Sequence, residues 1–499
     1  MPALSLTIAG VGGWMVWQRL PEPWNFYGAA GCALLGGLGC ALRYRPPAQK
    51  GSLMWEFCGE RWTVEEGCQN WLVTGGIGSG KTNALNFLVH NLNQHQPDWG
   101  GLWLDNKGNS ERELRGIMAA AGREEDVTVL RTGEGGKRYN VLADPAFTFE
   151  TLGFAIAEIA SGGDKSQHGK FFREQAALHS AQAMHALRVL EEPVTLQSIY
   201  PVLTDAAATA AMVQKLLQSK HPEAPALHSH FQNKFLAMPG DQFGGVTGTL
   251  LNVLRPFQTP EVATVFAGEA PNDFAFQDLD DGKILCLSLP QRFPQERYAL
   301  NALLKHLFYQ FALLRYDREN VAAANVLCLW LDEAQHSLRS GAWGDYRFLD
   351  RLRAARCAVV IAMQDHTSCY PTLGKDTAIV TLAQLRNRLI FSAPTFESAE
   401  ISANFIGKRE IQKVTRGFNG GKSSISRTPH EEHILKAQDI TGLPNHRCHL
   451  YHANKRLRRK LCLPVCDPLR GAMPPVPARP SAERSVKEAE ELRISGTAL

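Results

Sequence analysis

The sequence contains no Cys-x-x-Cys pair, although eleven cysteines occur among its 499 residues. Cys286, Cys328 and Cys357 lie in apolar runs, and Cys462 and Cys466 are too isolated to indicate a metal site. Cysteines buried in apolar runs are typical of the reduced interior of a cytosolic body. The cysteine pattern therefore argues against both a zinc motif and a disulfide-stapled secreted domain.

The chain also lacks a strong excess of charge of either sign. Its 53 Lys and Arg residues and 49 Asp and Glu residues give a formal net charge of +4. Composition alone therefore does not indicate a nucleic-acid partner. The apolar content of 44% is that of a globular protein, and the length suffices for about three domains.

Charged residues are absent from two N-terminal stretches, residues 2–17 and 24–42. A membrane-spanning helix needs about 20 apolar residues, with about 17 as the lower limit, so the second stretch qualifies and the first is marginal. Arg43 and Arg45 follow the second stretch and favour a cytoplasmic location for the body. A cleaved signal peptide would begin with a basic segment, which is missing. We expect a transmembrane hairpin over residues 1–45; buried core helices are the alternative.

A glycine-rich segment follows the short apolar strand that begins at Trp71. Residues 75–82 match G-x-x-x-x-G-K-[S/T], a loop whose backbone amides surround nucleotide phosphates at the start of a helix. The lysine of this motif reaches the β and γ phosphates, and the hydroxyl of the last residue binds Mg²⁺. The motif predicts ATP binding. The candidate binding residues are Gly75, Gly76, Ile77, Gly78, Ser79, Gly80, Lys81, Thr82 and Asn83.

Two carboxylates terminate a later apolar strand, in the sequence Val326-Leu-Cys-Leu-Trp-Leu-Asp332-Glu333. Because carboxyl ends of parallel strands share one edge of a sheet, we expect both carboxylates to lie beside the phosphate loop. Asp332 is then a candidate ligand of Mg²⁺, together with Thr82, and Glu333 is a candidate activator of the attacking water. An acidic turn without a catalytic role is the alternative interpretation.

Gln364 ends a third apolar strand of the same kind, Ala358–Gln364. A polar amide at this edge can contact the γ-phosphate or the attacking water, so Gln364 is a further catalytic candidate. The preceding segment, Tyr346–Arg356, is predicted to be a basic helix and carries several arginines. Phosphoryl transfer benefits from an arginine that neutralises developing charge, but spacing alone does not distinguish one arginine from the others.

Strands and helices alternate in residues 46–146 and again in residues 269–466, which predicts a parallel sheet covered on both faces. Between them, residues 147–268 show helical periodicity without strand signals, so we expect an all-helical inserted domain. Residues 467–499 are rich in Pro, Ala, Glu and Arg without apolar periodicity, and we expect a flexible tail. The two α/β parts together form the expected nucleotide-binding domain.

This arrangement resembles the membrane-anchored coupling ATPases of type IV secretion and conjugation, the TraD/TraG class of the FtsK/HerA-like ring motors. The resemblance covers about residues 1–465. The features that carry it are the hairpin, the phosphate loop, the strand that ends in Asp105-Asn106-Lys107-Gly108, the helical insertion, Asp332-Glu333, residues 353–364 and residues 391–416.

The resemblance implies a RecA-like P-loop NTPase domain with an all-α inserted domain and an N-terminal transmembrane hairpin. It implies a homo-hexamer, multi-pass in the bacterial inner membrane, with a cytoplasmic ATPase body that uses ATP and Mg²⁺. The implied partners are relaxase-bound single-stranded DNA and components of the type IV secretion channel. By position, Arg353 resembles the family's arginine that acts on the neighbouring subunit. Asp105 and Lys107 match the family motif near the nucleotide without an assigned role.

Other functions stay open at this point. The chain resembles, in the same superfamily, double-stranded DNA pumps, and a receptor for protein effectors with ATP controlling assembly is a further alternative. Asp332 to Gln335 also resembles the acidic box of superfamily-2 helicases, but the arginine-rich motif of their second lobe has no good candidate here. The short loop at residues 18–23 and the lack of a long acidic C-terminal extension favour a compact coupling protein.

Overall fold

The computed structural model describes residues 52–106, 110–133, 136–159, 167–266, 271–341, 344–419, 422–455 and 457–475. The hairpin predicted over residues 1–45 lies outside these residues, as does residue 476 onward of the predicted tail. Within the described part of the chain, no helix combines the length and the apolar character that a membrane span requires.

Most of the strands are short and lie in one sheet. Their bounds are β1 Leu53–Phe57, β2 Glu60–Thr63, β3 Trp71–Thr74, β4 Gly100–Asp105, β5 Val127–Leu130, β6 Ile284–Ser288, β7 Leu327–Leu331, β8 Cys357–Met363, β9 Asn387–Ile390, β10 Lys408–Asn419, β11 Lys422–His433, β12 Arg447–His452 and β13 Leu457–Cys462. The long interval between β5 and β6 contains helices in its described residues. This is the part that the sequence predicts to be helical.

The helices cover both faces of the sheet. Their bounds are α1 Val64–Gly67, α2 Lys81–His95, α3 Glu111–Ala120, α4 Phe149–Ile159, α5 Gln167–Val189, α6 Leu196–Thr204, α7 Ala206–Gln218, α8 Ala224–His230, α9 Gly240–Leu254, α10 Pro260–Phe266, α11 Pro294–Leu314, α12 Tyr370–Leu373, α13 Lys375–Ala383, α14 Phe396–Ile406 and α15 Ala437–Thr441. Helix α2 directly follows the glycine-rich loop. Strand β6 returns the chain from the helical interval to the sheet, and helix α11 lies between β6 and β7 in the chain.

The main sheet has nine strands in the order β13-β12-β9-β3-β8-β7-β4-β6-β5. The strands from β9 to β5 are parallel, whereas β12 runs antiparallel to both β9 and β13. The carboxyl ends of β3, β8, β7 and β4 are therefore consecutive along one edge. Neighbouring strands lie about 4.8 Å apart, so residues that follow these four strands meet over a short distance.

Alternate side chains of the central strands enter two different cores. In β7, Leu327, Leu329 and Leu331 pack with the helices between β5 and β6, whereas Cys328 and Trp330 pack with α2 and α3. Successive side chains of a strand point to opposite faces, so a strand that is apolar at every position is buried on both. This burial explains why the sequence pattern predicts the parallel strands well.

The sequence prediction of a helix over Tyr346–Arg356 is wrong. Two short 3₁₀ turns, Asp345–Arg347 and Leu352–Ala355, occupy this segment instead. Side chains of other elements bind carbonyl groups that an α-helix would use internally; Nε2 of Gln384, for example, donates to the carbonyl oxygen of Tyr346 at 2.9 Å. These tertiary hydrogen bonds outweigh the local helical preference.

The antiparallel strands after α14 are not predicted from the sequence. Strands β10 and β11 pair along their whole length as a separate two-stranded sheet, and β12 and β13 extend the main sheet at one edge. Most of the described side chains of β10 and β11 are polar and exposed. The apolar side chains of Val414 and Ile425 are exposed as well. Strands without a buried face give little apolar alternation, which removes the signal on which sequence prediction depends.

Candidate nucleotide-binding site

The glycine-rich loop joins the end of β3 to the start of α2. The backbone N–H of Gly76 donates to the carbonyl oxygen of Ser392 at 2.8 Å, which fixes the loop against the segment after β9. Gly80 adopts a φ of 117°, and a Cβ atom there would lie 3.1 Å from Cε1 of Phe391. Only glycine adopts this conformation readily. Gly80 thus turns the chain so that α2 begins at Lys81.

The start of α2 is suited to an anion. Among the described residues, no side chain makes a capping hydrogen bond at Gly80. The first turn of a helix has backbone N–H groups without intrahelical partners, and the helix dipole adds partial positive charge there. A phosphate group satisfies both features.

Lys81 folds back over this loop. Its Nζ donates to the carbonyl oxygens of Gly75 at 2.7 Å and Gly76 at 3.0 Å, and the side chain is 6% exposed. The ammonium group is therefore held inside the turn, where the motif requires positive charge. A phosphate oxygen entering the loop would meet this ammonium group and gain a charge-assisted hydrogen bond.

The loop also leaves a polar atom and a space that fit phosphate. Oγ of Ser79 is buried without a hydrogen-bond partner among the described residues. A Cβ atom at Gly75 would lie 2.5 Å from this oxygen, so a larger residue would close the loop. Buried hydroxyl groups are normally paired, and a bound phosphate would supply the missing acceptor.

The remaining loop residues contribute in different ways. Ile77 is 88% exposed, so its side chain lies outside the loop interior. Thr82 is half-buried in the first turn of α2. The side chain of Asn83 is engaged elsewhere: its Nδ2 donates to the carbonyl oxygen of Pro464 at 3.0 Å, and its Oδ1 accepts from the backbone N–H of Cys466 at 2.7 Å. Asn83 therefore ties the segment after β13 to the phosphate loop.

Asp332 and Glu333 lie directly after β7, two strands away from β3 in the sheet order. Asp332 is 3% exposed, and its Oδ1 accepts from the backbone N–H of Glu333 at 2.9 Å. Glu333 adopts φ 48° and ψ 50°, a left-handed conformation that is uncommon for a residue with a Cβ atom. Such a conformation costs roughly 1–3 kcal/mol and persists where neighbouring contacts enforce it.

Two glutamine side chains hold the carboxylate of Glu333. Nε2 of Gln364 lies 3.2 Å from Oε2 of Glu333, and Nε2 of Gln335 donates to the same oxygen at 2.8 Å. Gln364 follows β8, the strand between β3 and β7. The structure thus brings together Glu333 and Gln364, which the sequence analysis named separately, and adds Gln335.

A cavity of about 660 Å³ opens beside this carboxylate. Glu333 and Gln364 line it together with Asn106 and with residues at the start of α11, including Arg297 and Tyr298. Polar side chains, among them Gln291 and Asn301, form part of its lining, and its volume leaves room for water beside the carboxylate. This is the environment that a water-activating group requires.

Asp105 and Asn106 end the next strand along the edge, β4. Oδ2 of Asp105 accepts from the backbone N–H of Ser110 at 2.8 Å, which anchors the start of α3. Nδ2 of Asn106 donates to the carbonyl oxygen of Asp332 at 2.6 Å and to Oγ of Ser337 at 2.9 Å. Lys107, the other family-motif position, lies outside the described residues. Asn106 was not singled out from the sequence, although it lies in the same motif.

The chain after Glu333 is tethered to α11 by a buried ion pair. Nζ of Lys305 lies 2.8 Å from Oδ2 of Asp345, and the hydroxyl of Tyr309 donates to Oδ1 at 2.7 Å. Burial lowers the pKa of Lys305, and the carboxylate of Asp345 opposes this shift. Removal of one partner from such a pair costs roughly 3–5 kcal/mol, so this contact fixes the loop firmly.

Arg353 is far from these groups in its own chain. It precedes β8, whose seven residues separate it from Gln364. At about 3.3 Å per residue, this strand spans roughly 20 Å. The side chain is 49% exposed, and its Nη1 lies 4.0 Å from Oε1 of Glu65. The geometry leaves Arg353 at the opposite edge of the sheet, available to a neighbouring molecule.

A family model describes part of the chain. Residues 346–458 match the model of the type IV secretion-system coupling protein DNA-binding domain. The matched segment runs from the turns before β8 into β13, and it includes Gln364 and Arg353. The match confirms the coupling-protein resemblance that the sequence motifs indicated.

Solved structures of a coupling protein have a similar fold. The unbound form of bacterial conjugative coupling protein TrwB lacking its N-terminal segment superposes with a TM-score of 0.63 at 15% identity, over 84% of this chain and 89% of that chain. TrwB in complex with the ATP analogue ADPNP gives 0.62 at 15% identity, over 83% and 89%. TrwB with ADP and Mg²⁺ gives 0.62 at 15% identity, over 83% and 88%. The chain therefore shares the fold of TrwB, an α/β nucleotide-binding body combined with an all-α part.

Proposed function

We propose that this protein binds ATP at the loop over residues 75–82 and hydrolyses it. The observation that carries this proposal is the meeting of three features at one sheet edge. These are an anion-binding loop with Lys81, a carboxylate at Glu333, and the amide of Gln364 at 3.2 Å from that carboxylate. A loop alone supports binding, whereas a held carboxylate beside it supports hydrolysis.

Each group then has a distinct role. Lys81 and the amides at the start of α2 bind the phosphates. Glu333 accepts a proton from the water that attacks the γ-phosphorus as the bond to the leaving ADP oxygen breaks. Gln364 and Gln335 keep the carboxylate oriented towards that water. The carboxylate of Glu333 therefore acts as a general base and forms no bond to phosphorus.

Mg²⁺ fits the same edge. The hydroxyl of Thr82 and the carboxylate of Asp332 are oxygen donors of the kind that Mg²⁺ prefers, with water completing the coordination. When bound, the ion neutralises charge on the phosphate oxygens. TrwB has been solved with ADP and Mg²⁺, which agrees with this choice.

Substitution Glu333→Gln tests the assignment. We expect ATP turnover to fall by about 100-fold or more, since a positioned base contributes on that scale, with little change in nucleotide affinity. Turnover is measured by phosphate release and affinity by equilibrium binding of a fluorescent ATP analogue. The control is Glu319→Gln, an exposed glutamate outside the site. Undiminished turnover in Glu333→Gln would remove this residue from the mechanism.

We further propose that the ATPase is a coupling protein that moves DNA towards a type IV secretion channel. The support is the DNA-binding domain match over residues 346–458 and the shared fold with TrwB, described as a bacterial conjugative coupling protein. The substrate in this proposal is a relaxase-bound single strand. Double-stranded DNA and protein effectors are the competing substrates, and the response of the ATPase rate to each form of DNA separates them.

The proposed assembly is a homo-hexameric ring of chains with a nucleotide-binding domain in residues 46–146 and 269–466 and an all-helical domain in residues 147–268. Nucleotide lies between subunits, and Arg353 of one subunit completes the site of the next. The exposure of Arg353 and its distance from Gln364 in the same chain support this arrangement. A hexamer is expected by light scattering in the presence of nucleotide, and a monomer under all conditions would contradict it.

We also propose that residues 1–45 anchor the protein in the bacterial inner membrane as a hairpin, with residues 467–499 as a flexible tail. The support is the pair of uncharged stretches at residues 2–17 and 24–42. The full-length chain is expected in the membrane fraction after cell lysis and is released by detergent. Quantitative recovery in the soluble fraction would contradict the anchor.

A further inference from the structure

Asn106 connects the segment that carries the candidate catalytic carboxylate, Glu333, to helix α11. It is the first residue after β4, 9% exposed, and it lines the same cavity as Glu333 and Gln364. The hydrogen bonds of its side chain are made with the segment after β7 and with α11. The inference below rests on the proposed ATPase function.

The amide of Asn106 is fixed by partners at both of its ends. Nδ2 donates to the carbonyl oxygen of Asp332 at 2.6 Å and to Oγ of Ser337 at 2.9 Å. Oδ1 accepts from Nδ2 of Asn301, in α11, at 2.8 Å. The orientation of the amide follows from the first contact, since a flipped amide would place Oδ1 against the carbonyl oxygen of Asp332, which can only accept.

The peptide group between Asp332 and Glu333 is held at both ends. Asn106 binds its carbonyl oxygen, and Oδ1 of Asp332 binds its N–H at 2.9 Å. Rotation of this peptide group is the movement that would change the left-handed φ of Glu333. Both hydrogen bonds would break in that rotation, so together they keep an otherwise strained backbone in place.

We propose that Asn106 is a positioning residue of the ATPase. By binding the carbonyl oxygen of Asp332, it holds the 332–333 peptide in the orientation that directs the Glu333 carboxylate towards Gln364 and water. Asn301 supports it from α11 by fixing the amide. In this role Asn106 acts through the 332–333 peptide and not on a reacting atom.

A matched control lies at the start of β7, the strand that Asp332 follows. Asn325, also 9% exposed, precedes β7, and its Nδ2 donates to the carbonyl oxygens of Asp98 at 2.9 Å and Leu279 at 2.8 Å. It therefore makes the same type of buried amide–carbonyl bridge as Asn106, at the edge away from the nucleotide. Asn325→Ala removes a structural bridge without touching the site.

The test compares Asn106→Ala, Asn301→Ala and Asn325→Ala in the purified full-length chain. For Asn106→Ala we expect kcat to fall by about 10- to 100-fold, since misplacement of a reacting group by about 1 Å has effects of that size. KM and the affinity for the ATP analogue should stay within about 3-fold of wild type, because the groups that bind the nucleotide are unchanged. Asn301→Ala should give a smaller loss of kcat, and Asn325→Ala should lower the thermal midpoint while leaving kcat near the wild-type value.

The outcomes separate this inference from the proposed function. Wild-type kcat in Asn106→Ala, or an equal loss of kcat in Asn325→Ala, would overturn the positioning role while leaving the ATPase intact. A loss confined to KM would overturn it as well, since it would show a binding role. Absence of hydrolysis by the wild-type chain would overturn the ATPase proposal and this inference together.

Discussion

At the residue scale, the groups predicted from sequence are those whose position is marked by local pattern. Lys81 lies in a motif of fixed spacing, and Glu333 and Gln364 each end an apolar strand. Asn106 and Asn301 carry no such mark, since their partners are about 200 residues away along the chain. Only the strand order, which places β4 beside β7, brings them next to the candidate site. Residues that bind phosphate are thus readable from sequence, and residues that orient them are not.

The assignment of Arg353 to a neighbouring site yields a prediction of its own. Arg353→Ala should abolish most ATP turnover while the binding of an ATP analogue is retained. Lys81→Ala should also abolish most turnover, but with weaker binding of the analogue. Subunits of the two variants mixed in equal amounts should recover about a quarter of wild-type turnover, because about a quarter of random interfaces then combine an intact loop with an intact arginine. Phosphate release from the mixed sample gives the answer.

The control for this mixing experiment is Arg351→Ala. Arg351 is an exposed arginine close in sequence, and its Nε donates to the carbonyl oxygen of Arg347 within the same segment. This variant should hydrolyse ATP at the wild-type rate. If the mixture of Arg353→Ala and Lys81→Ala remains as inactive as either parent, Arg353 does not act across an interface.

At the element scale, prediction succeeded where burial is two-sided and failed where it is not. The central parallel strands β7 and β8 are apolar and buried at every position. The segment over residues 346–356 and the strands β10 and β11 depend on tertiary hydrogen bonds or on pairing with each other. Local periodicity does not record such contacts.

Two glycines in the helical interval differ in the space around them, so replacing each with alanine should change stability in opposite directions. A Cβ atom at Gly153, in α4, would lie 2.5 Å from the carbonyl oxygen of Ala177 in α5, whereas one at Gly248, in α9, would meet nothing within 4 Å. Gly153→Ala should therefore lower the free energy of unfolding by about 1–3 kcal/mol through overpacking. Gly248→Ala should raise it by about 0.5–1 kcal/mol, since alanine is the better helix former. Urea unfolding measures both; equal signs would contradict the close approach of α4 and α5.

The segment after β8 predicts how stability changes with pH. Burial lowers the pKa of His366 to about 3, with the charge of Arg388 adding to the effect and Asp365 opposing it. Its Nδ1 lies 2.9 Å from Oγ of Ser398, in α14. Because the unfolded chain binds this proton more readily, stability is complete above pH 6.5 and decreases as pH falls towards 3.

Between pH 7.5 and pH 5, this single histidine should account for about 2 kcal/mol of lost stability. His366→Gln should therefore show a flatter dependence of the urea midpoint on pH than wild type does. The exposed His221, replaced in the same way, provides the control and should leave the dependence unchanged. A wild-type slope in His366→Gln would show that the buried imidazole does not titrate in this way.

At the scale of the whole molecule, α11 connects the candidate site with the helical part. Asn301 and Lys305, four residues apart on one face, contact Asn106 and Asp345 beside the site. Leu300 and Leu304 pack in the core that also contains α4 and α5, and α11 contacts α4 directly. A movement of the segment after β7 would therefore be transmitted to the helical part through α11. The boundaries of the inserted domain, residues 147–268, remain a prediction from sequence.

If ATP hydrolysis drives the movement of DNA, added DNA should change the ATPase rate, and a titration measures this change. The ATPase rate of the purified full-length chain is measured against added single-stranded and double-stranded DNA, with oligomer size followed by light scattering and Glu333→Gln as the inactive reference. We expect basal hydrolysis that single-stranded DNA accelerates, most strongly when a ring has formed. Stronger stimulation by double-stranded DNA would indicate a duplex pump. Hydrolysis that neither form of DNA changes would contradict the DNA motor and favour a receptor for protein substrates.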